Sequence, residues 1–187
     1  MNGPLPVATA PASAQIRVGR RFLAIGLAVL VVAVSAQVTV PIPLNPVPIT
    51  LQPLAVLVVG GLLGPGAGAA ALIVYLALGM LGLPVFAGGS AGFVHVIGPT
   101  GGYLLAFPAA AAVAGFASGG VLRTLLFCAL AMAVIHLGGT AQLALLGGNA
   151  AAAFRIGFVP FLTGDLLKVG LAAGVILGAG PKVRALL

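Results

Sequence analysis

Long apolar runs alternate along this chain with short segments in which glycine and proline are frequent. The runs are continuous, whereas membrane barrel strands alternate apolar and polar positions in segments of roughly ten residues. We therefore predict an all-α integral membrane protein, a bundle of six transmembrane helices, since about 20 apolar residues cross a bilayer. The helices are expected at about residues 21–40, 50–63, 67–83, 102–118, 122–146 and 157–177.

The connections between these helices differ in character. Residues 41–48 contain four prolines, which fix φ and lack an N–H, so we expect a stiff, extended segment packed on protein at the membrane surface. Pro53 suits the first turn of the second helix. Residues 84–102 form a long glycine-rich stretch, while glycines near positions 65 and 120 indicate tight turns.

Positive charge is concentrated at one side of the predicted bundle. With the N-terminus inside, only Arg155 falls outside and Lys168 lies within the last apolar run. This bias predicts that both termini are cytoplasmic. The longer connections at residues 41–50, 84–101 and 147–156 then all face outward. The six basic residues assigned to the cytoplasmic side are Arg17, Arg20, Arg21, Arg123, Lys182 and Arg184.

The N-terminal region is predicted to differ from the rest. Residues 1–16 are rich in proline, alanine and small polar residues, so we expect a disordered tail before a helical membrane domain at 17–187. The basic residues at 17–21, followed by an apolar run and small residues at 34–36, also resemble a secretory signal peptide. Because the run continues to Val40 and further spans follow, we expect a retained first helix.

The composition agrees with a membrane protein. Charged residues make up 5 % of the chain and hydrophobic residues 61 %, against about 25 % charged residues in soluble domains. The net charge of +7 lies mostly at helix ends rather than on one patch, which argues against nucleic acid binding. The single cysteine, Cys128, lies in an apolar run and is expected to be a core residue.

One ionisable pair stands out. Asp165 is the only acidic residue of the chain, and it lies three residues before Lys168 on the same face of the last helix. Ionisable groups at membrane depth cost on the order of 3 kcal/mol and usually mark function. The glycines at 170, 174 and 178 lie opposite, where a neighbouring helix can approach. Two interpretations stay open: a structural salt bridge, or part of a ligand site below the outer loops.

A carboxylate beside an ammonium suits a ligand that donates an N–H and offers a carbonyl or carboxylate oxygen. Further candidates lie near the outer helix ends, and each of them taken alone suits a role in loop structure better than ligand contact. These candidates are Asn45, Gln52, Phe86, Ser90, Phe93, Tyr103 and Asn149. The two histidines, His95 and His136, are weaker candidates.

Other chemistry is not expected. One acid and one cysteine make a metal cage improbable, no phosphate-binding GxxxxGK[ST] motif is present, and no nucleophile–base constellation is visible. We therefore predict a binder or carrier without a cofactor, rather than an enzyme.

Four segments, taken together, carry a family resemblance: PVPITLQ at 46–52, LGMLGLPVFAGGS at 78–90, GPTGGYL at 98–104 and GDLLK at 164–168. They resemble the BioY family, the biotin-specific capture subunits of energy-coupling-factor vitamin importers. The resemblance extends over nearly the whole chain from the first helix onward.

The resemblance implies a six-helix subunit of the bacterial inner membrane that binds biotin near its outer face, under a lid formed by the proline-rich loop. It implies that Asp165 and Lys168 contact the vitamin. It also implies that Ala24 and Ala28, a small-xxx-small pattern on the first helix, dock onto a coupling transmembrane protein, which powers import with a pair of ATPases.

Two rival interpretations remain at this stage. The chain could be a capture subunit of the same fold for another vitamin, or a non-transporting membrane anchor whose Asp165–Lys168 pair only fixes helix register. The sequence is compatible with a chain that works alone, as a homo-oligomer or only with energising partners.

Overall fold

A computed structural model describes residues 12–187, and this part of the chain is mostly helical. The α-helices are α1 (Ala12–Gln37), α2 (Gln52–Leu63), α3 (Pro65–Met80), α4 (Val94–Ile97), α5 (Gly101–Ala114), α6 (Val121–Gly147), α7 (Ala150–Gly157) and α8 (Leu162–Leu186). Two short strands, β1 (Thr39–Val40) and β2 (Ile49–Thr50), pair antiparallel between α1 and α2. The predicted all-α class is confirmed.

The six predicted helices correspond to α1, α2, α3, α5, α6 and α8. The last of them begins at Leu162 rather than 157, because Val159–Phe161 form a separate 3₁₀ turn that contains Pro160. The short helices α4 and α7 lie in segments predicted to be loops. Residues 12–16, assigned to the tail by the sequence, belong to α1, while 1–11 lie outside the described residues.

Helix length varies within the bundle. Three helical stretches of the described chain are long and apolar enough to cross a membrane: Gln15–Gln37, Val121–Gly147 and Ala150–Leu186. The other apolar helices, α2, α3 and α5, have between 10 and 17 residues. At 1.5 Å per residue, even a 17-residue helix spans only about 25 Å, so these three are short for a hydrocarbon core about 30 Å thick.

Glycine permits close contact between the central helices. Gly102 of α5 faces Gly138 of α6 so closely that a Cβ on Gly102 would collide with the Gly138 carbonyl oxygen. Small residues at such crossings let backbones approach in membranes, where dispersion and hydrogen bonding rather than the hydrophobic effect hold helices together. The close α5–α6 crossing brings Tyr103 and His136 into contact, with ring centroids 6.0 Å apart.

The proline loop, residues 41–48, folds back onto the bundle as expected. Val47 is buried, with 5 % exposure. The Asn45 side chain accepts the Val47 N–H at 2.9 Å and donates to the carbonyl oxygen of Ile156 in α7 at 2.7 Å. These contacts hold the loop over one end of the helices.

The glycine stripe of α8 has no partner within the described chain. Gly170, Gly174 and Gly178 are exposed, and a Cβ on any of them would meet nothing within 4 Å. The stripe predicted to allow a close approach is therefore not covered by another helix of the described chain. The helix instead buries the face that carries Asp165 and Lys168.

Candidate functional site

A cavity of about 280 Å³ lies beneath the proline loop. Its walls come from that loop, the start of α2, the glycine-rich segment before α5, and α5, α6 and α8. Much of the lining is apolar and includes Phe86, Phe107 and Ile135. The volume lies just below the range of about 300–1,000 Å³ typical of ligand pockets, which suits a small organic molecule.

The ionic cluster, which we define as Asp165, Lys168 and His136, forms one polar wall of this cavity. One carboxylate oxygen of Asp165, Oδ1, accepts from Lys168 Nζ at 2.9 Å, and Oδ2 lies 2.5 Å from His136 Nε2. All three residues are 6 % exposed. Buried charges are tolerated when they are paired. In this cluster each oxygen of Asp165 has a partner, and the Lys168 ammonium has Asp165 as its partner.

Two different relationships assemble the cluster. Asp165 and Lys168 are one turn apart on α8, so the helix itself brings them together. Asp165 also lies in the first turn of α8, where the helix dipole favours a negative charge. His136 comes from α6, 29 residues earlier in the chain, and reaches Asp165 only because α6 packs beside α8.

The second ring nitrogen of His136 faces a backbone carbonyl. Nδ1 lies 3.2 Å from the carbonyl oxygen of Gly157, which also accepts the Tyr103 hydroxyl at 2.6 Å. A carbonyl oxygen only accepts, so Nδ1 can act only as the donor in this contact. The ring also contacts Phe158 and Phe161, with centroids 5.0 and 5.8 Å away.

The cluster retains hydrogen-bonding capacity towards the cavity. Each oxygen of Asp165 has a further lone pair, and the Lys168 ammonium has two N–H groups beyond the one directed at Asp165. Side by side, they can accept ligand N–H groups and donate to a ligand oxygen.

A second polar network supports another part of the wall. Gln52 Nε2 donates to the Tyr75 hydroxyl at 2.6 Å, and this hydroxyl donates to the Val85 carbonyl oxygen at 2.8 Å. The next residue, Phe86, is 1 % exposed, and its ring lies against the backbone of Gly79. The network therefore fixes the glycine-rich segment where its aromatic ring lines the cavity.

Two further polar residues line the cavity from the same segment. The Ser90 hydroxyl donates to the Ala87 carbonyl oxygen at 2.9 Å. His95 is half-buried with its ring 6.3 Å from that of Phe86.

Six of the nine residues named for the predicted ligand site line this one cavity: Asp165, Lys168, Ser90, Gln52, Tyr103 and Phe86. Asn45 is outside the lining and ties the proline loop to α7 instead. The other two candidates also lie outside it: Phe93 is 60 % exposed, and Asn149 caps α7 by accepting the Ala152 N–H.

The histidines were underestimated from sequence, since both line the cavity. His136 is flanked by Ile135 and Leu137 and lies far from Asp165 in the chain, so local spacing gives no hint of contact. The signal that could have found it is the one that singles out Asp165: a titratable side chain inside an apolar run.

The two small residues of α1 proposed for docking differ in exposure. Ala28 is 6 % exposed and packs in the core of this chain, while Ala24 is half-buried. Ala28 is therefore covered by the protein's own helices, and Ala24 remains partly open at the surface.

Comparisons with known proteins point in one direction. The model of the BioY family matches residues 9–185. A probable biotin transporter BioY from Pyrococcus horikoshii is 42 % identical over 149 residues, which are 79 % of this chain and 88 % of that protein. The biotin transporter BioY of Thermotoga maritima is 35 % identical over 161 residues, 84 % of this chain and 94 % of that protein.

A solved structure has the same fold. The crystal structure of the S-component for biotin from an ECF-type ABC transporter superposes with a TM-score of 0.76 at 25 % identity, covering 90 % of this chain and 93 % of that one. All of these named proteins are transporters or transporter components, which agrees with the expectation of a carrier rather than an enzyme. Family model, relatives and fold together establish that this chain belongs to the BioY family.

Proposed function

We propose that this protein is a membrane capture subunit that binds biotin in the cavity beneath the proline loop and mediates its uptake. The observation that carries the proposal is the buried Asp165–Lys168 pair, which faces a largely apolar cavity of about 280 Å³. The relatives named as biotin transporters supply the ligand's identity.

The chemistry of biotin fits this wall. Its ureido ring has two N–H donors and one carbonyl acceptor, so Asp165 accepts a ureido N–H while Lys168 donates to the ureido oxygen. The fused bicycle is otherwise apolar and packs against side chains such as Phe86, Phe107 and Ile135. Burial of both charges makes their hydrogen bonds stronger than they would be in water.

The chain crosses the inner membrane of a bacterium six times, with both termini cytoplasmic and the cavity near the outer face. The charge distribution supports this arrangement. Arg184 lies at the end of the bundle opposite the cavity, about 28 Å further along α8 than Asp165 at 1.5 Å per residue. There it donates to the carbonyl oxygens of Gly61 and Gly115, near the C-terminal ends of α2 and α5.

A coupling transmembrane protein and a pair of ATP-binding-cassette ATPases energise uptake. The fold shared with a component of an ECF-type ABC transporter supports this partnership. Ala24 is the member of the small-residue pattern on α1 that offers a partly open contact. Assembly into homo-oligomers is the alternative arrangement.

Equilibrium binding of radiolabelled biotin to the purified protein tests the proposal. We expect saturable binding with a dissociation constant below micromolar, displaced by unlabelled biotin and not by thiamin or riboflavin. Absence of saturable binding overturns it, and displacement by another vitamin reassigns the ligand. Uptake into vesicles with and without the coupling protein and ATPases then tests the energising partners.

A further inference from the structure

His136 borders the ligand site, but its polar atoms are directed at the protein. Its ring lines the cavity, yet both nitrogens point at protein acceptors, Gly157 O and Asp165 Oδ2. We infer that His136 is a positioning residue that holds the Asp165 carboxylate in the orientation that receives ligand N–H groups. This inference rests on the proposed biotin site and adds a residue to it.

Lys168 alone does not fix the carboxylate relative to the bundle. Both residues belong to α8, so their side chains can turn together while keeping the 2.9 Å contact. His136 belongs to α6, and its bond to Oδ2 ties the carboxylate to a second helix. Two helices then determine where the remaining lone pairs of Asp165 point.

His136 is itself held rigidly. The Gly157 carbonyl accepts both the Tyr103 hydroxyl and the His136 Nδ1–H, which uses both of its lone pairs. The rings of Tyr103, Phe158 and Phe161 surround the imidazole at centroid distances between 5.0 and 6.0 Å. The Gly157 carbonyl and Asp165 also face the imidazole, and Lys168 adjoins Asp165.

The arrangement has a consequence for the ligand. The Oδ2 lone pair that faces α6 is occupied by His136, and one on Oδ1 by Lys168. The ligand N–H groups are confined to the remaining directions, which face the cavity. Loss of the His136 bond releases the carboxylate to rotate and weakens the ligand's hydrogen bonds without removing any group that touches the ligand polar atoms.

Two substitutions separate the two bonds of His136. The amide nitrogen of glutamine occupies roughly the place of Nε2 and can keep the bond to Asp165, whereas that of asparagine occupies the place of Nδ1 and can keep only the bond to Gly157. We expect His136→Asn to weaken biotin binding by about 10- to 100-fold, the range for a hydrogen bond to a charged group. His136→Gln should stay within about threefold of the unchanged protein, since one such bond is retained.

A double-substitution cycle gives a readout that a merely structural role would not move. If His136 acts through Asp165, His136→Asn added to Asp165→Asn lowers biotin affinity by less than about twofold further. If the double variant instead loses affinity by the product of the two single losses, the inference is overturned. It is also overturned if the His136→Asn protein binds biotin normally, or if the His136→Gln protein binds as weakly as the His136→Asn protein. Thr140→Val, which removes only a hydroxyl bonded within α6, is the matched control and should bind normally.

Folding and the proposed function are tested separately. Thermal unfolding in detergent shows whether each variant is folded. NMR of the unsubstituted protein labelled with ¹⁵N-histidine adds a test that does not depend on whether a variant at position 136 folds. We expect a protonated, hydrogen-bonded Nε2 on His136, and an unprotonated Nε2 overturns the inference. Failure of the unsubstituted protein to bind biotin would instead count against the proposed function.

Discussion

The Asn45 side chain donates to the carbonyl oxygen of Ile156 at 2.7 Å, which joins the proline loop to the end of α7. The same loop lines the cavity through Pro46, Val47 and Pro48. Asn45 therefore bears on ligand exchange through the loop, although it does not line the cavity. The loop must move for biotin to enter or leave by this route, and this bond opposes that movement.

Weakening this contact should speed biotin release. Asn45→Asp keeps the oxygen that accepts the Val47 N–H but removes the donor to Ile156. A typical hydrogen bond contributes about 1 kcal/mol, so we expect dissociation to be about fivefold faster. Release of radiolabelled biotin into excess unlabelled biotin measures the rate. An unchanged rate in the Asp variant and a faster one in Asn45→Ala would assign the effect to the Val47 bond instead.

The Asp165–Lys168 pair should be needed for binding. Asp165→Asn keeps the shape of the side chain but removes its charge, and Lys168→Ala leaves Asp165 with His136 as its remaining hydrogen-bond partner. We expect each change to weaken biotin affinity by about tenfold or more, because hydrogen bonds to charged groups contribute about 1.5–3 kcal/mol. Binding measured on protein that is monodisperse in detergent checks this, and normal affinity in both variants would make the pair purely structural.

Lys168→Ala should also cost stability. Removal of one partner of a buried ion pair typically costs about 3–5 kcal/mol, although His136 remains beside Asp165 and reduces the loss. Thermal unfolding without ligand measures this effect, and the variant Asp165→Asn combined with Lys168→Met should recover part of it because no buried charge is then left without its partner. Equal destabilisation in the single and double variants would contradict the prediction.

Glycine at the α5–α6 crossing should be required for packing. A Cβ on Gly102 collides with the Gly138 carbonyl oxygen, whereas a Cβ on Gly174 meets nothing within 4 Å. Overpacking of a tight contact costs about 1–3 kcal/mol, so Gly102→Ala should unfold at lower temperature than the unchanged protein. Gly174→Ala is the matched control and should not. Equal unfolding temperatures for both variants would show that the crossing relaxes freely.

Arg184 should stabilise the bundle without affecting the ligand. Its guanidinium donates to carbonyl oxygens of Gly61 and Gly115 and so connects α8 to two other helices. Arg184→Gln is expected to lower the unfolding temperature, since each buried acceptor left unpaired costs about 1–3 kcal/mol. Biotin affinity, measured on the folded fraction, should stay unchanged, and a loss of affinity would indicate coupling between the two ends of the bundle.

The local sequence pattern was sufficient to predict much of the structure of this protein. The apolar runs predicted the six main helices, because continuous hydrophobicity over more than ten residues reflects burial or lipid contact whatever the tertiary arrangement. Asp165 and Lys168 could be paired from sequence alone, since the helix repeat places residues three apart on one face. The proline loop could be expected to cover the bundle because its side chains are apolar and its backbone is stiff.

Contacts between distant segments required the tertiary structure. His136 reaches Asp165 across 29 residues, and Asn45 bonds Ile156 across 111, so no local period relates either pair. The stripe of Gly170, Gly174 and Gly178 illustrates the same limit, because spacing identifies a surface that a helix can approach but not whether this chain supplies one. Sequence alone thus determined the helices and the buried ion pair, which depend on neighbours along the chain. Only the packing of α6 against α8 decided that a histidine completes the cluster.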